Sequence, residues 1–185
     1  MSAGRGRIGL NVEIREERKD DAPAIRIVQE QAFNEEDEAR VVDMLRCSGS
    51  IVLSLVAVAA GRIVGHVLFS PATVESSSVD SRWTALGPIG VAPDHQGRGI
   101  GSRLVWEGLA RCRLDGWDGV VLLGDPGYYA RFGFVRASNH GLTCVYGDGP
   151  AFQVLELRQG ALEQVVGTVR FAPEFDEFAP DEEHA

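Results

Sequence analysis

The sequence predicts a single α/β domain built on a mixed β-sheet that is flanked by helices. Short β-branched segments alternate with segments of helical period along most of the 185 residues. The apolar runs at 51–58 and 63–69 flank the turn Ala60-Gly61-Arg62, which indicates an antiparallel hairpin. A strand–helix–strand unit follows from residue 83. We find no internal repeat and no linker that would divide the chain.

The individual elements follow from local patterns. In chain order they are a strand at 12–15, a helix capped by Asp20 or Asp21 with Pro23 in its first turn, a helix through 41–45 that Gly49 ends, the hairpin, a strand at 83–91, a helix at 102–114, a strand at 120–123, a short helix at 126–132, and strands at 134–135, 152–157 and 165–171. Gly87-Pro88 inside the strand at 83–91 predicts a bulge or a local splay, because proline is normally excluded from central strands.

Composition indicates an ordinary globular protein, with 44% apolar and 24% charged residues. The net charge of −9 is concentrated at the end of the chain, since residues 171–185 hold six acidic residues and no Lys or Arg. Residues 1–170 carry −3. We therefore expect a flexible N-terminus at 1–10, a domain at 11–171 and an acidic, disordered tail at 172–185. A basic stripe is lacking, which argues against nucleic-acid binding.

Three widely spaced cysteines, Cys47, Cys112 and Cys144, suggest neither a disulfide framework nor a zinc site. The basic N-terminus is not followed by the apolar segment of a signal peptide, and the most apolar run, 51–60, is too short to span a bilayer. We expect a cytoplasmic protein without membrane contact and without a bound metal.

The segment Gln96-Gly97-Arg98-Gly99-Ile100-Gly101 stands where a strand passes into a helix. Alternate glycines let a ligand approach the backbone, and the helix start offers free N–H groups and a positive dipole end. Such a turn can bind phosphate, with Arg98 as a counter-charge. The glycine spacing fits neither the Walker loop nor the dinucleotide fingerprint. A tight turn without a ligand is the alternative.

Two segments carry a family resemblance. Residues 86–104, with Gln96, Gly99 and Gly101, closely resemble the signature Arg/Gln-x-x-Gly-x-Gly/Ala of the GNAT superfamily of N-acetyltransferases. Residues 124–134, Gly-Asp-Pro-Gly-Tyr-Tyr-Ala-Arg-Phe-Gly-Phe, resemble its later motif of an aromatic residue followed by Tyr-x-x-x-Gly-Phe. The two motifs are separated by a helix and a strand, as in the family, and the resemblance covers about residues 12–157. It implies a GNAT-like, mostly antiparallel mixed sheet.

The resemblance also implies acetyl-CoA as acetyl donor and a primary amine as acceptor. The loop would bind the CoA pyrophosphate, and the strand ending at Val91 would pair with the pantetheine arm and polarise the thioester carbonyl. Tyr129 matches the tyrosine that protonates the departing thiolate; its alternative is a core aromatic. The implied cofactor-binding residues are Ile89, Gly90, Val91, Gln96, Gly97, Arg98, Gly99, Ile100, Gly101 and Ser102.

The general base is where the sequence departs from the family. Many members place a glutamate on the strand before the loop, and residues 83–91 contain no carboxylate. The candidates are Asp125, which would equally cap the next helix; His66, which would equally be a structural histidine; an acid among 35–38, which would equally complement a helix dipole; and water.

The sequence leaves several further questions open. A non-catalytic acyl-CoA sensor or scaffold is the competing function, and transfer of a longer acyl group is a third. The identity of the amine does not follow from the sequence. A homodimer would form if the last strand were exposed and paired between two copies.

Overall fold

Nine strands form one mixed sheet over residues 11–75, 81–163 and 165–178, the part of the chain that the computed structural model describes. The strands are β1 (Val12–Glu16), β2 (Leu53–Ala59), β3 (Arg62–Glu75), β4 (Trp83–Val91), β5 (Gly119–Leu123), β6 (Val135–Arg136), β7 (Leu142–Cys144), β8 (Phe152–Glu156) and β9 (Gly167–Arg170). The main path runs β1-β2-β3-β4-β5-β8-β6, and β9 pairs with both β3 and β7. Only the pairs β4–β5 and β7–β9 are parallel within these ranges, so the predicted mixed, mostly antiparallel sheet is confirmed.

Four α-helices accompany the sheet in the described ranges: α1 (Ala22–Phe33), α2 (Asp37–Ser48), α3 (Ile100–Leu114) and α4 (Pro126–Tyr129). Single-turn 3₁₀ segments lie at Lys19–Asp21, Pro93–His95, Ala130–Phe132 and Ala137–His140, and a longer one at Pro173–Phe178. Gly49 ends α2 in the left-handed conformation, as predicted. Within the described residues no helix is long and apolar enough to cross a membrane.

Helices cover both faces of the sheet. Because neighbouring residues of a strand point to opposite sides, one strand contributes side chains to the core on each face. Phe69 of β3 packs with Leu104 and Leu109 of α3 on one face. The preceding residue, Leu68, packs with Ile25 of α1 and residues of α2 on the other. All of these side chains are almost completely buried. The central strand β3 therefore organises two layers of core.

The predicted hairpin is β2–β3, and its turn explains its sequence. Ala60 and Gly61 have φ values of 49° and 75°, the left-handed pair that matches the twist of a two-residue hairpin. Glycine adopts this conformation without cost, while Ala60 is held in it by the strands on either side. The predicted strand at 63–69 is longer than expected, since β3 continues to Glu75.

Strands β4 and β5 pair only at their beginnings and then separate. Parallel pairing covers Trp83 to Ala85 of β4, whereas β4 continues to Val91 along β3 alone. A register irregularity between Val67 and Phe69 of β3 lies opposite the Gly87-Pro88 step. The sequence predicted a bulge or a local splay at this step, and the structure has both a register irregularity and an early separation of β4 from β5. The separation opens a gap in the sheet at the carboxyl end of β4 and β5.

The end of the chain differs from the prediction of disorder from residue 172. Ala172 is 5% exposed, and Phe175 and Phe178 of the 3₁₀ segment pack on the cluster that includes α2. Its composition suggested a solvated tail. However, apolar residues are interspersed among the acidic ones, and these apolar residues pack against α2. The prediction is therefore wrong for residues 172–178. Residues 1–10 and 179–185 lie outside the described residues.

Strand β9 also corrects the argument for a homodimer. It pairs with β3 on one side and with β7 on the other, so it is not an exposed edge. Strand β7 was not predicted, because its three residues give no periodic pattern. Pairing of last strands between two copies is excluded by this arrangement.

Candidate functional site

The gap between β4 and β5 is the floor of a cavity of about 880 Å³. This volume is in the range of small-molecule and cofactor sites. The carboxyl end of β4, the turn before α3 and the segment after β5 line it, together with the start of α2 and aromatic residues from the end of the chain. The topology thus brings distant parts of the sequence to one opening.

The glycine-rich turn begins one wall of the cavity with an open helix end. Gly97 and Gly99 have φ values of 69° and 79°, which only glycine adopts without strain. The first main-chain bond at the start of α3 runs from the Arg103 amide to the Gly99 carbonyl at 3.0 Å. The amides of residues 100–102 precede it and point out of the helix, at the positive end of its dipole. This geometry is suited to phosphate oxygens.

Eight of the ten predicted cofactor-binding residues line this cavity: Ile89, Val91, Gln96, Gly97, Gly99, Ile100, Gly101 and Ser102. Gln96 also donates from Nε2 to the Val91 carbonyl at 2.9 Å, which ties the turn to the end of β4. Gly90 and Arg98 are not among the lining residues in the described ranges. A Cβ on Gly90 would stand 2.8 Å from Gln29 Oε1, so this residue faces α1 rather than the cavity.

Two adjacent tyrosines stand beside the turn. Tyr129 lines the cavity, is 8% exposed, and packs edge-on against Tyr128 and Phe134 at centroid distances of 5.0 and 5.7 Å. Burial raises the pKa of Tyr129 to about 12, so the phenol stays protonated at neutral pH. The Tyr128 hydroxyl lies 2.9 Å from the position of a Cβ on Gly101. The cavity therefore offers a buried hydrogen-bond donor next to the glycine-rich turn.

Comparison with known proteins agrees with this geometry. The Acetyltransferase (GNAT) family profile matches residues 12–134. The chain belongs to the GNAT acetyltransferase family. An uncharacterised N-acetyltransferase of Escherichia coli K12, YhbS, is 39% identical over 160 residues, which cover 85% of this chain and 95% of YhbS.

Solved structures extend the similarity to three dimensions. The crystal structure of E. coli YhbS in complex with CoA has a TM-score of 0.86 and 38% identity, covering 91% of this chain and 94% of that one. A GNAT family acetyltransferase from Brucella melitensis in complex with acetyl-CoA has a TM-score of 0.74 and 39% identity, covering 89% and 98%. Both the family and the fold that the sequence motifs implied are thus confirmed.

One of the base candidates in this GNAT acetyltransferase, His66, lies in the core. It is completely buried, and its ring nitrogens contact Gln29 Nε2 at 2.7 Å and Ser54 Oγ at 2.9 Å. Ser54 in turn donates to Glu17 at 2.5 Å, so Nε2 of His66 must carry the proton and Nδ1 accepts from the amide. Burial lowers its pKa to about 3. Because His66 does not line the cavity, its structural interpretation is the one that the geometry supports.

Three carboxylates of the described residues line the cavity, and their environments differ. Asp125 is exposed and accepts a hydrogen bond from the Gly127 amide at 3.0 Å, the capping role foreseen for it. Asp37 is 57% exposed and lies 3.9 Å from Arg40. Glu38 is half-buried, and its Oε2 is shielded from solvent without a hydrogen-bond partner among the described residues. Burial, and then the charges of Glu35 and Asp37, raise the pKa of Glu38 above its ordinary value.

The sequence analysis included Glu38 among its candidates for the general base, but it missed other residues that line the cavity. Arg131 lines it and lies over the Tyr128 ring, 4.6 Å from the centroid. His95 also lines it, next to the glycine-rich turn, and its buried Nδ1 has no partner among the described residues. Both residues lie within the two motif segments, and this position was the signal in the sequence that could have identified them as cavity residues. No sequence pattern indicated that the aromatic residues at the end of the chain line the cavity.

Proposed function

We propose that the chain transfers the acetyl group of acetyl-CoA to a primary amine by direct attack of the amine on the thioester. The observation that carries the proposal is that one cavity joins an anion-binding helix start, a buried phenol and a desolvated carboxylate. These three groups match the three needs of the reaction: cofactor binding, protonation of the leaving group and deprotonation of the acceptor.

Acetyl-CoA binding would use the residues that the cavity brings together. The open amides of α3 and the turn at 96–99 would hold the pyrophosphate, with Arg98 as a solvent-side counter-charge. The separated edge of β4 at Ile89, Gly90 and Val91 would pair with the pantetheine arm, since β5 leaves it free beyond Ala85. Binding of CoA by YhbS and of acetyl-CoA by the Brucella protein supports this placement.

The chemistry would proceed with Glu38 as base and Tyr129 as acid. Glu38 takes a proton from the ammonium, and the neutral nitrogen then attacks the thioester carbon. The C–N bond forms as the C–S bond breaks, and the electron pair leaves with the sulfur, which receives its proton from Tyr129. The acylated nitrogen then loses its second proton through water to the Tyr129 phenolate, and Glu38 releases the first proton to solvent. A raised pKa suits Glu38 to this task, because a base works best when its pKa approaches the working pH.

A non-catalytic acyl-CoA sensor was attractive while no carboxylate could be placed near the acceptor. Glu38 supplies one from α2, so the lack of a carboxylate on β4 no longer favours that alternative.

We place the enzyme in the cytoplasm, on the ground that Cys47, Cys112 and Cys144 are all unpaired thiols. A homodimer stays a prediction that light scattering would test.

Two measurements test the proposal together. Calorimetry with acetyl-CoA should show one site per chain, and a panel of primary amines should release free thiol from acetyl-CoA. Absence of acetyl-CoA binding to folded protein would overturn the cofactor assignment. Binding without thiol release from any amine would favour the sensor.

A further inference from the structure

We propose that the acceptor is an arylalkylamine, a primary ammonium carried on an aromatic group without a carboxylate of its own. The inference rests on the proposed acetyl transfer and names the substrate class for it. It follows from lining residues of the cavity that come from outside the two motif segments, and we call this group of residues the acceptor end. Its residues are Phe33, Glu38, Tyr146, Phe171, Phe175 and Phe178.

Three aromatic residues of the acceptor end, Tyr146, Phe171 and Phe175, are in contact with one another. Tyr146 and Phe171 lie 5.7 Å apart between ring centroids, and Phe171 and Phe175 lie 5.9 Å apart. Phe178 and Phe175 pack on the α2 cluster, and Phe33 stands at the end of α1 with 40% of its surface exposed. Such a surface binds a ring by edge and face contacts and attracts a cation to its faces.

Polar contacts hold this aromatic surface in place. The Tyr146 hydroxyl donates to Asp176 at 2.5 Å, and Ser50 Oγ donates to Glu174 at 3.0 Å. Arg40 of α2 pairs with Glu177 at 2.5 Å. The segment at 173–178 is thus fastened to α2 and to the loop before β8, so the acceptor end exists before any amine binds.

The two carboxylates at the acceptor end favour an ammonium and disfavour an acidic acceptor, whereas the cation that lines the cavity, Arg131, belongs to the motif segment after β5 and lies over the Tyr128 ring. Glu38 lines the cavity, its buried Oε2 has no hydrogen-bond partner among the described residues, and Asp37 lines the cavity beside it. The nearby cation Arg40 is already paired with Glu177 and lies over the Phe178 ring, 5.4 Å from its centroid. An amino acid would bring its own carboxylate against these acids.

The aromatic surface also disfavours polar amines. The hydroxyl groups of an amino sugar would lose water against Phe171, Phe175 and Phe178 without gaining hydrogen bonds. A short alkylamine would satisfy Glu38 but leave the rings uncovered. An arylalkylamine satisfies both, because its ammonium reaches the carboxylate while its ring covers the aromatic residues.

The test compares four acceptors at saturating acetyl-CoA by thiol release: 2-phenylethylamine, phenylalanine, ethylamine and glucosamine. We expect kcat/KM for 2-phenylethylamine to exceed that for ethylamine by roughly 10–100-fold, the effect of burying one phenyl group. Phenylalanine, which adds only a carboxylate, and glucosamine should be poorer still. Equal values for 2-phenylethylamine and either ethylamine or phenylalanine would overturn the inference while leaving acetyl transfer intact.

Variants locate the preference. Phe175→Ala should raise KM for 2-phenylethylamine about tenfold and leave KM for ethylamine and acetyl-CoA unchanged. Phe33→Ala is a second variant, because its half-exposed side chain can be removed with little risk to folding. Leu114→Ala, at an 85% exposed position at the end of α3, is the matched control. An unchanged amine preference in both aromatic variants would overturn the inference.

A binding measurement separates this inference from the proposed function. Calorimetry of 2-phenylethylamine against the CoA-loaded protein should show weaker binding in Phe33→Ala than in the wild type. Binding of this amine without thiol release would overturn acetyl transfer but keep the aromatic-amine site. Thiol release without preference for this amine would overturn the aromatic-amine site but keep acetyl transfer.

Discussion

Replacement of Glu38 by glutamine is the sharpest test of how the acceptor amine loses its proton. An amine of pKa about 10.4 is neutral in roughly one molecule in a thousand at pH 7.4, so removal of a base should be costly. General bases contribute about 10²–10⁴-fold. Glu38 is only half-buried, and water can partly replace it, so we expect the lower part of this range. The loss in kcat/KM at pH 7 should be about 10²–10³-fold, or roughly 3–4 kcal/mol of transition-state stabilisation.

The pH profile should identify the residue. In the wild type, kcat/KM rises as Glu38 ionises, at a pH above the ordinary range of a glutamate because burial raises its pKa. In Glu38→Gln this rise should disappear. The deficit should narrow toward pH 9, because the neutral fraction of the amine grows about a hundredfold between pH 7 and 9.

The same substitution has an opposite effect on stability. The folded protein holds the Glu38 proton to a higher pH than the unfolded chain, so ionised Glu38 costs stability above the folded pKa and nothing below the unfolded one. The Tm of Glu38→Gln at pH 7 should therefore equal or exceed that of the wild type, which excludes misfolding as the cause of lost activity.

Glu36→Gln is the matched control, because the Glu36 side chain is 74% exposed and lies outside the residues that line the cavity. Thiol release at fixed acetyl-CoA, measured from pH 6 to 9, is the assay. The role of Glu38 is refuted if Glu38→Gln stays within about threefold of the wild type across this range, or if Glu36→Gln loses as much.

Three further predictions concern the rest of the cavity and the core. Tyr129→Phe should lower kcat at least about tenfold with acetyl-CoA affinity near normal, whereas Tyr128→Phe should lower kcat far less; equal losses by thiol-release kinetics would contradict the assignment. Gly101→Ala should weaken acetyl-CoA binding about tenfold by calorimetry, because its Cβ would stand 2.9 Å from the Tyr128 hydroxyl at the start of α3; unchanged affinity would place the pyrophosphate elsewhere. Gly119→Ala should cost about 1–3 kcal/mol and lower Tm by roughly 3–10 °C, since its Cβ would overlap the buried Trp83 ring, and an unchanged melting curve would show that the ring can move.

Much of the fold and part of the site were accessible from the sequence, for a local reason. The turn at 96–101 was recognised because Gly97 and Gly99 serve backbone conformations that neighbouring residues along the chain decide. The splay at Gly87-Pro88 was foreseen because proline interrupts a ladder wherever it stands. The capping role of Asp125 likewise depends on the two residues after it.

Other features were decided by residues far apart in the chain. His66 is a core residue because Gln29 and Ser54 enclose it, and nothing in its own strand states this. Residues 172–178 are ordered because α2 offers them a face and Tyr146 and Ser50 offer partners to their acids.

Glu38 illustrates the difference between what the sequence determines and what the tertiary structure decides. The sequence by itself determined that an acid stands near the start of a helix, and the two motifs determined that an acetyl-CoA site lies elsewhere in the chain. Only the tertiary structure decided that this acid, rather than Glu35, Glu36 or Asp37, is desolvated at the cavity. Backbone conformation is set by the nearest neighbours in sequence, whereas desolvation is set by whatever the fold packs against a side chain, and that depends on the whole chain.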